Sequence, residues 1–206
     1  MKTTILFLIA VVATAILPNI ASADSITLTT FPTATYNGYY VGPVGGTFDG
    51  APVEIICDTF NKESYVPSSF DVNVETIGNL TGAYFASQPT AYKEMAILNY
   101  EMSLPQNIAD VGTIQYAIWN LFDQAAGTPG DTQNWLDWAG SQSLNSWTYS
   151  GDVFTPSDTP NQEFTDLTAS PTPEPTSLVL FGTGFLFLAY FSRRLRSTSS
   201  ASRNLR

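Results

Sequence analysis

Histidine is absent from this chain, and cysteine occurs once, at Cys57. The first absence removes the Ser-His-Asp triad, the Cys-His nucleophile pair and every zinc site that needs an imidazole. The second removes any intramolecular disulfide, so non-covalent contacts must hold the fold together. Basic residues are almost as scarce in the body of the chain. Between Asp24 and Glu174 only Lys62 and Lys93 stand against all 18 acids, a formal balance of −16. Such a surface repels phosphate backbones and anionic lipid, which excludes nucleic-acid binding and lying flat on a membrane. No acid falls in an EF-hand spacing or a distinctive catalytic motif. No metal, no cofactor and no catalytic residue is therefore expected. A non-enzymatic role comes first, and a secreted carbohydrate-active enzyme with paired carboxylates is the last alternative.

Long apolar runs are confined to the two ends. Residues 5–17 are apolar except for Thr14, follow Lys2, and precede the small-x-small sequence Ala21-Ser22-Ala23. That order describes a signal peptide over 1–23, cut after Ala23 by signal peptidase, with a mature chain beginning at Asp24 outside the cytoplasm. At the far end stand Pro173-Glu174-Pro175, an apolar run over 178–191, and Arg193, Arg194 and Arg196. The fourteen-residue run rises about 21 Å as a helix, against a hydrocarbon core of about 30 Å. Extended to 176–192 it makes a single transmembrane helix, and the arginines hold its end in the cytoplasm. The span is short and contains Gly182 and Gly184, which suits a temporary anchor better than a permanent one. Pro173 and Pro175 keep the preceding backbone extended, where a protease can grip it.

These three parts in order, residues 172–196, resemble the PEP-CTERM sorting signal. The resemblance implies recognition by an exosortase, an integral-membrane cysteine protease. It also implies export through the inner membrane, transient anchoring with the C-terminus cytoplasmic, and final placement at the cell surface or outside the cell. A structural or binding role associated with exopolysaccharide comes with it. Thr172 departs from the valine often found there, and a polar tail, 197–206, follows the arginines.

Between the signals lies room for one domain, read as α+β over 24–150 with a polar, proline-containing linker over 151–171. Residues 25–85 alternate β-branched or aromatic runs with turn clusters and predict a small antiparallel sheet, with Asn37-Gly38 and Gly45-Gly46 as turn candidates. Two or three helices follow. Ala91, Met95, Leu98 and Met102 fall at helical spacing, as do Val111, Ile114, Ile118, Leu121 and Phe122, with Pro105 between them. Asp131 is placed to start a third helix that carries Trp135, Trp138 and Ala139 on one face. Ser170 to Pro175 reads as a stalk.

Two residues do not fit this plain reading. Cys57, in "VEIICDTF", has no partner within the chain, and Gln115, in "VGTIQYAIWNLF", shares the apolar stripe of its helix. A carboxamide facing a core needs hydrogen-bond partners or costs about 1–3 kcal/mol. One chemistry accounts for both: the thiol attacks the carboxamide, ammonia leaves, and an internal thioester remains. Gln115-Tyr116-Ala117-Ile118-Trp119 resembles the glutamine block of bacterial thioester domains, although Ile114 replaces the usual threonine and Ile56 the usual aromatic or leucine before the cysteine. That resemblance implies a covalent adhesin that acylates an amine-bearing surface target. The alternatives are an inert buried thiol or an intermolecular disulfide for Cys57, and an amide bonded to the sheet backbone for Gln115.

Overall fold

The computed structural model describes residues 23–122, 125–158 and 160–172, together with Thr183, Phe185 and Phe187. The expected signal peptide apart from Ala23, Pro173-Glu174-Pro175, Arg193, Arg194, Arg196 and the tail 197–206 lie outside the described residues. So does the expected transmembrane helix, apart from Thr183, Phe185 and Phe187, which are helical and exposed. Among the described residues no helix is long and apolar enough to cross a membrane.

The described residues form ten strands, three α-helices and two short 3-10 helices. The strands of the first half are β1 (Ser25–Thr30), β2 (Ala34–Tyr36), β3 (Tyr39–Val41), β4 (Val44–Phe48), β5 (Ala51–Cys57) and β6 (Ser68–Thr76). Helices α1 (Pro89–Ser103), α2 (Val111–Leu121) and α3 (Thr132–Ser141) follow, as the apolar spacing predicts. The chain then returns to strands: β7 (Trp147–Ser150), β8 (Asp152–Pro156), β9 (Phe164–Thr165) and β10 (Thr168–Pro171).

Six strands close into an antiparallel barrel in the order β1-β4-β5-β9-β8-β6. Period-2 alternation sets the inside. Ile26 and Leu28 of β1 and Phe70 and Val72 of β6 face inward, while Asp71 and Asn73 are exposed. Val44, Ile55, Cys57, Phe154 and Phe164 complete the inner cluster. The end of strand β5, residues 55–57, is buried on both faces, because Ile56 turns outward into a second core formed by α1, α2 and α3 against the barrel wall. Trp135 and Trp138 pack against that second core, edge to face at 5.7 Å. Helix α2 is enclosed on all sides, since every residue from Gly112 to Trp119 is buried. The β2–β3 hairpin covers its outer face through Val41, Tyr116 and Trp119.

Three expectations need correction. The sheet is not a unit of the first half alone, and 151–171 is not a linker. Strands β8 and β9 close the barrel between β5 and β6, with Val74 opposite Phe154 and Cys57 opposite Phe164. Strand β10 pairs with β7, so Ser170 and Pro171 belong to the sheet rather than to a stalk. Their strands are two to five residues long among Pro, Ser and Asp, and β8 and β9 are held in the barrel by β6 and β5, far away in the sequence. The third correction concerns the turns. Asn37-Gly38 makes its hairpin, both with positive φ, but Gly45-Gly46 lies inside β4. The β4–β5 turn is instead Asp49-Gly50, also with positive φ at both residues. Asp131 does sit at the start of α3, yet its carboxylate accepts from the Asn134 side chain at 3.0 Å rather than capping a backbone N–H.

A chain ending at Ser150 is therefore expected to lose the fold, because β5 and β6 are left as open edges over an uncovered barrel interior. Circular dichroism and denaturant titration should show no cooperative transition. A native-like transition in that truncation would contradict the closed barrel.

Candidate functional site

Strand β5 ends at Cys57, whose side chain sits at one end of the barrel, 8 % exposed. Helix α2 crosses that end and brings Gln115 there, 58 positions later in the chain and 1 % exposed. The Gln115 amide Nε2 donates to the backbone carbonyl of Cys57 at 2.7 Å. Its Oε1 accepts from the backbone N–H of Gly42 at 3.3 Å. Sequence spacing had placed the two residues on separate elements, and the barrel end brings them into one hydrogen-bonded unit.

The thiol is held as firmly. Cys57 Sγ donates to the backbone carbonyl of Thr59 at 3.2 Å, and the Trp119 indole, one turn along α2 from Gln115, stands beside the same sulfur. Burial pushes the Cys57 thiol far above its ordinary range, and the neighbouring Asp58 adds to this, while the Thr59 and Trp119 contacts only partly oppose it. The sulfur is a neutral S–H at physiological pH. It is neither a free thiolate nor an accessible partner for an intermolecular disulfide.

Gly42 is positioned by its backbone. It has φ +91°, and a Cβ built there would lie 2.9 Å from Val111 Cγ1, so only glycine turns its N–H onto the carboxamide without strain. Composition gave no sign of this role, since "YVGPVGG" reads simply as a flexible turn.

A second buried polar cluster adjoins the first. Asp58 and Glu163, both fully buried, hydrogen-bond to each other. Glu163 also accepts from the Tyr84 backbone N–H at 2.7 Å and from the hydroxyls of Tyr92 and Thr155. Thr59 Oγ1 donates to Asp58 at 2.8 Å and accepts from the Glu163 backbone N–H at 3.1 Å. Burial raises the Asp58 pKa well above the usual carboxylate range, and the Glu163 charge and hydrogen bond push it the same way. Asp58 therefore keeps its proton and Glu163 gathers the donors. The only sequence signal was an acid directly after an apolar strand, and Glu163, in a polar stretch, gave none. Among the described residues no group of three or more His, Cys, Asp or Glu could hold a metal ion.

Cys57, Gln115 and Trp119 form the floor of a cavity of about 540 Å3 that opens at the barrel mouth. Its upper wall carries Phe31, Tyr39, Tyr40 and Tyr65, four exposed aromatic residues that sequence reasoning missed.

Comparison with known proteins gives one match. Residues 171–196 match the model of the PEP-CTERM protein-sorting motif. No curated protein and no solved structure matches the chain. The motif makes exosortase the processing partner and implies export to the cell surface or the extracellular space. It begins at Pro171, the last residue of β10, and Thr172, whose N–H donates to the Ser146 carbonyl at 2.8 Å, is held against the domain.

Proposed function

We propose that this exosortase-sorted protein is a single-use covalent surface binder in which Cys57 and Gln115 form an internal thioester. The observation that carries it is the Gln115 carboxamide, enclosed in the core with its nitrogen on the Cys57 carbonyl and its oxygen on the Gly42 N–H.

Each contact has a part in the chemistry. As Sγ adds to the Gln115 carbonyl carbon, negative charge grows on Oε1, and the Gly42 N–H already points at it. The Cys57 carbonyl accepts from the amide nitrogen and favours the positive charge that develops there as it is protonated. The S–H proton passes to that nitrogen, the C–N bond breaks, and ammonia leaves. The product is one S–C bond between Cys57 and Gln115, at the cost of one ammonia. The buried, neutral thiol resists oxidation before the bond forms, and the enclosed site slows hydrolysis afterwards. When a target amine reaches the thioester, it takes the acyl carbon and Cys57 recovers its proton. One protein then acylates one target, with no turnover.

Methylamine tests this directly. The exported protein is expected to incorporate methylamine at Gln115 with release of one titratable thiol, and Cys57→Ala and Gln115→Ala should each abolish incorporation. Equal labelling of wild type and Cys57→Ala would overturn the thioester. A second reading, in which Gln115 only pins β5 and the loop at Gly42 to α2, is favoured by the same two hydrogen bonds. It predicts no incorporation and a large loss of stability in Gln115→Ala.

A further inference from the structure

The cavity above Cys57 and Gln115 has a mouth unlike the rest of the surface. Phe31, Tyr39, Tyr40 and Tyr65 are 47 %, 48 %, 55 % and 71 % exposed, and all four line this one opening. Elsewhere among the described residues the large exposed apolar side chains are Ile108, Phe185 and Phe187, none of which touches it. Apolar surface gathered at a concave site marks a place where something binds. Phe31 and Tyr40 stack with centroids 4.7 Å apart and planes 21° from parallel, so each steadies the other and keeps its outer face free. Tyr39 leans on Phe60 at 5.1 Å and is thereby fixed in place.

The polar lining is of a different kind. Asn61, Glu63, Ser64 and Gln162 are set among the rings. Flat apolar faces interleaved with amide, hydroxyl and carboxylate groups suit a ligand with an apolar face and a hydroxylated edge, which describes a pyranose ring. Charge then narrows the choice. Lys62 and Glu63 both line the cavity and offset each other, the Lys62 ammonium resting 3.7 Å over the Tyr84 ring, so the field there is set by the domain, which carries −16 overall. An acidic sugar is repelled there, and a cationic one is drawn in by the field and by the ring faces.

We propose that the barrel mouth binds a glycan containing hexosamine residues with free amines, the sugar ring lying against the outer face of the Phe31–Tyr40 stack. Its covalent consequence rests on the thioester reading. The sugar amine, once deprotonated, attacks the Gln115 carbonyl carbon, the C–S bond breaks, and the amine proton passes to Cys57 Sγ. The result is an amide between Gln115 and the sugar and a restored thiol.

The test uses the protein isolated after export, with Cys57→Ala separating binding from bond formation. The probes are a glucosamine oligomer, its N-acetylated counterpart and an acetyl-capped lysine peptide. The glucosamine oligomer is expected to bind Cys57→Ala reversibly in calorimetric titration, and Tyr40→Ala and Tyr65→Ala, both at exposed positions, should each weaken it about fivefold to tenfold. In wild type it should leave a covalent adduct on Gln115, and the N-acetylated oligomer none. Reversible binding without an adduct in wild type would uphold the sugar site and remove the thioester. Lack of oligomer binding to Cys57→Ala, indifference to the Tyr40 and Tyr65 substitutions, or preferential acylation of the lysine peptide would overturn the sugar site while leaving the thioester intact.

Discussion

Gly42→Ala is expected to slow thioester formation by about 100- to 1,000-fold while leaving a folded barrel. The N–H of Gly42 is the donor on Gln115 Oε1, where charge accumulates as sulfur adds. Removing one such donor costs about 2.7–4 kcal/mol of transition-state stabilisation. Alanine at φ +91° is strained, and its methyl group would press on Val111 Cγ1 at 2.9 Å, so the backbone shifts and its N–H swings off the carboxamide. The ground state is far less affected, because Gln115 keeps its bond to the Cys57 carbonyl. The check is the time course of ammonia release after refolding in denaturant-free buffer, with circular dichroism to establish the fold. A folded Gly42→Ala protein that forms the thioester at the wild-type rate would show that the Gly42 N–H has no part in the reaction.

The second large effect concerns Asp58 and Glu163. Glu163→Ala should cost about 3–5 kcal/mol, because it strands the Tyr92 and Thr155 hydroxyls, the Tyr84 N–H and the Asp58 carboxyl together in the core. That is a large part of the roughly 5–15 kcal/mol that stabilises a domain. Asp58→Asn should act in the opposite direction as pH rises. The fold holds the Asp58 proton, whereas the unfolded chain releases it above about pH 3.9. Between that pH and the raised folded pKa the folded state binds more protons, so the Asp58 contribution to stability falls with rising pH, by up to about 1.4 kcal/mol per pH unit. Asparagine keeps a donor for Glu163 and has no such titration. Urea midpoints measured from about pH 5 to about pH 9 are expected to fall more steeply for wild type than for Asp58→Asn. Parallel curves would mean that Asp58 ionises in the fold as it does in the unfolded chain.

What was legible in the sequence followed from local rules. Helices α1 and α2 announce themselves through apolar spacing, and β1 and β6 through strict alternation. The sorting motif is visible because its proline, apolar and arginine segments are contiguous. Cys57 and Gln115 stood out too, each as a violation of its surroundings, and the fold joins them by a hydrogen bond. The closure of the barrel was not, because β8 and β9 carry few apolar residues and owe their existence to β5 and β6, more than 75 positions away. Gly42 and Glu163 were hidden for a similar reason. Gly42 acts through one backbone N–H on Gln115, Glu163 gathers donors from Tyr84, Tyr92 and Thr155, and neither breaks a local pattern.

The intact mass of the exported protein, recovered without exposure to amines and unfolded in acid, is the most direct test of the account. We expect a mass one ammonia below that of the processed sequence, with no thiol reacting on unfolding. The full mass together with one titratable thiol would contradict it.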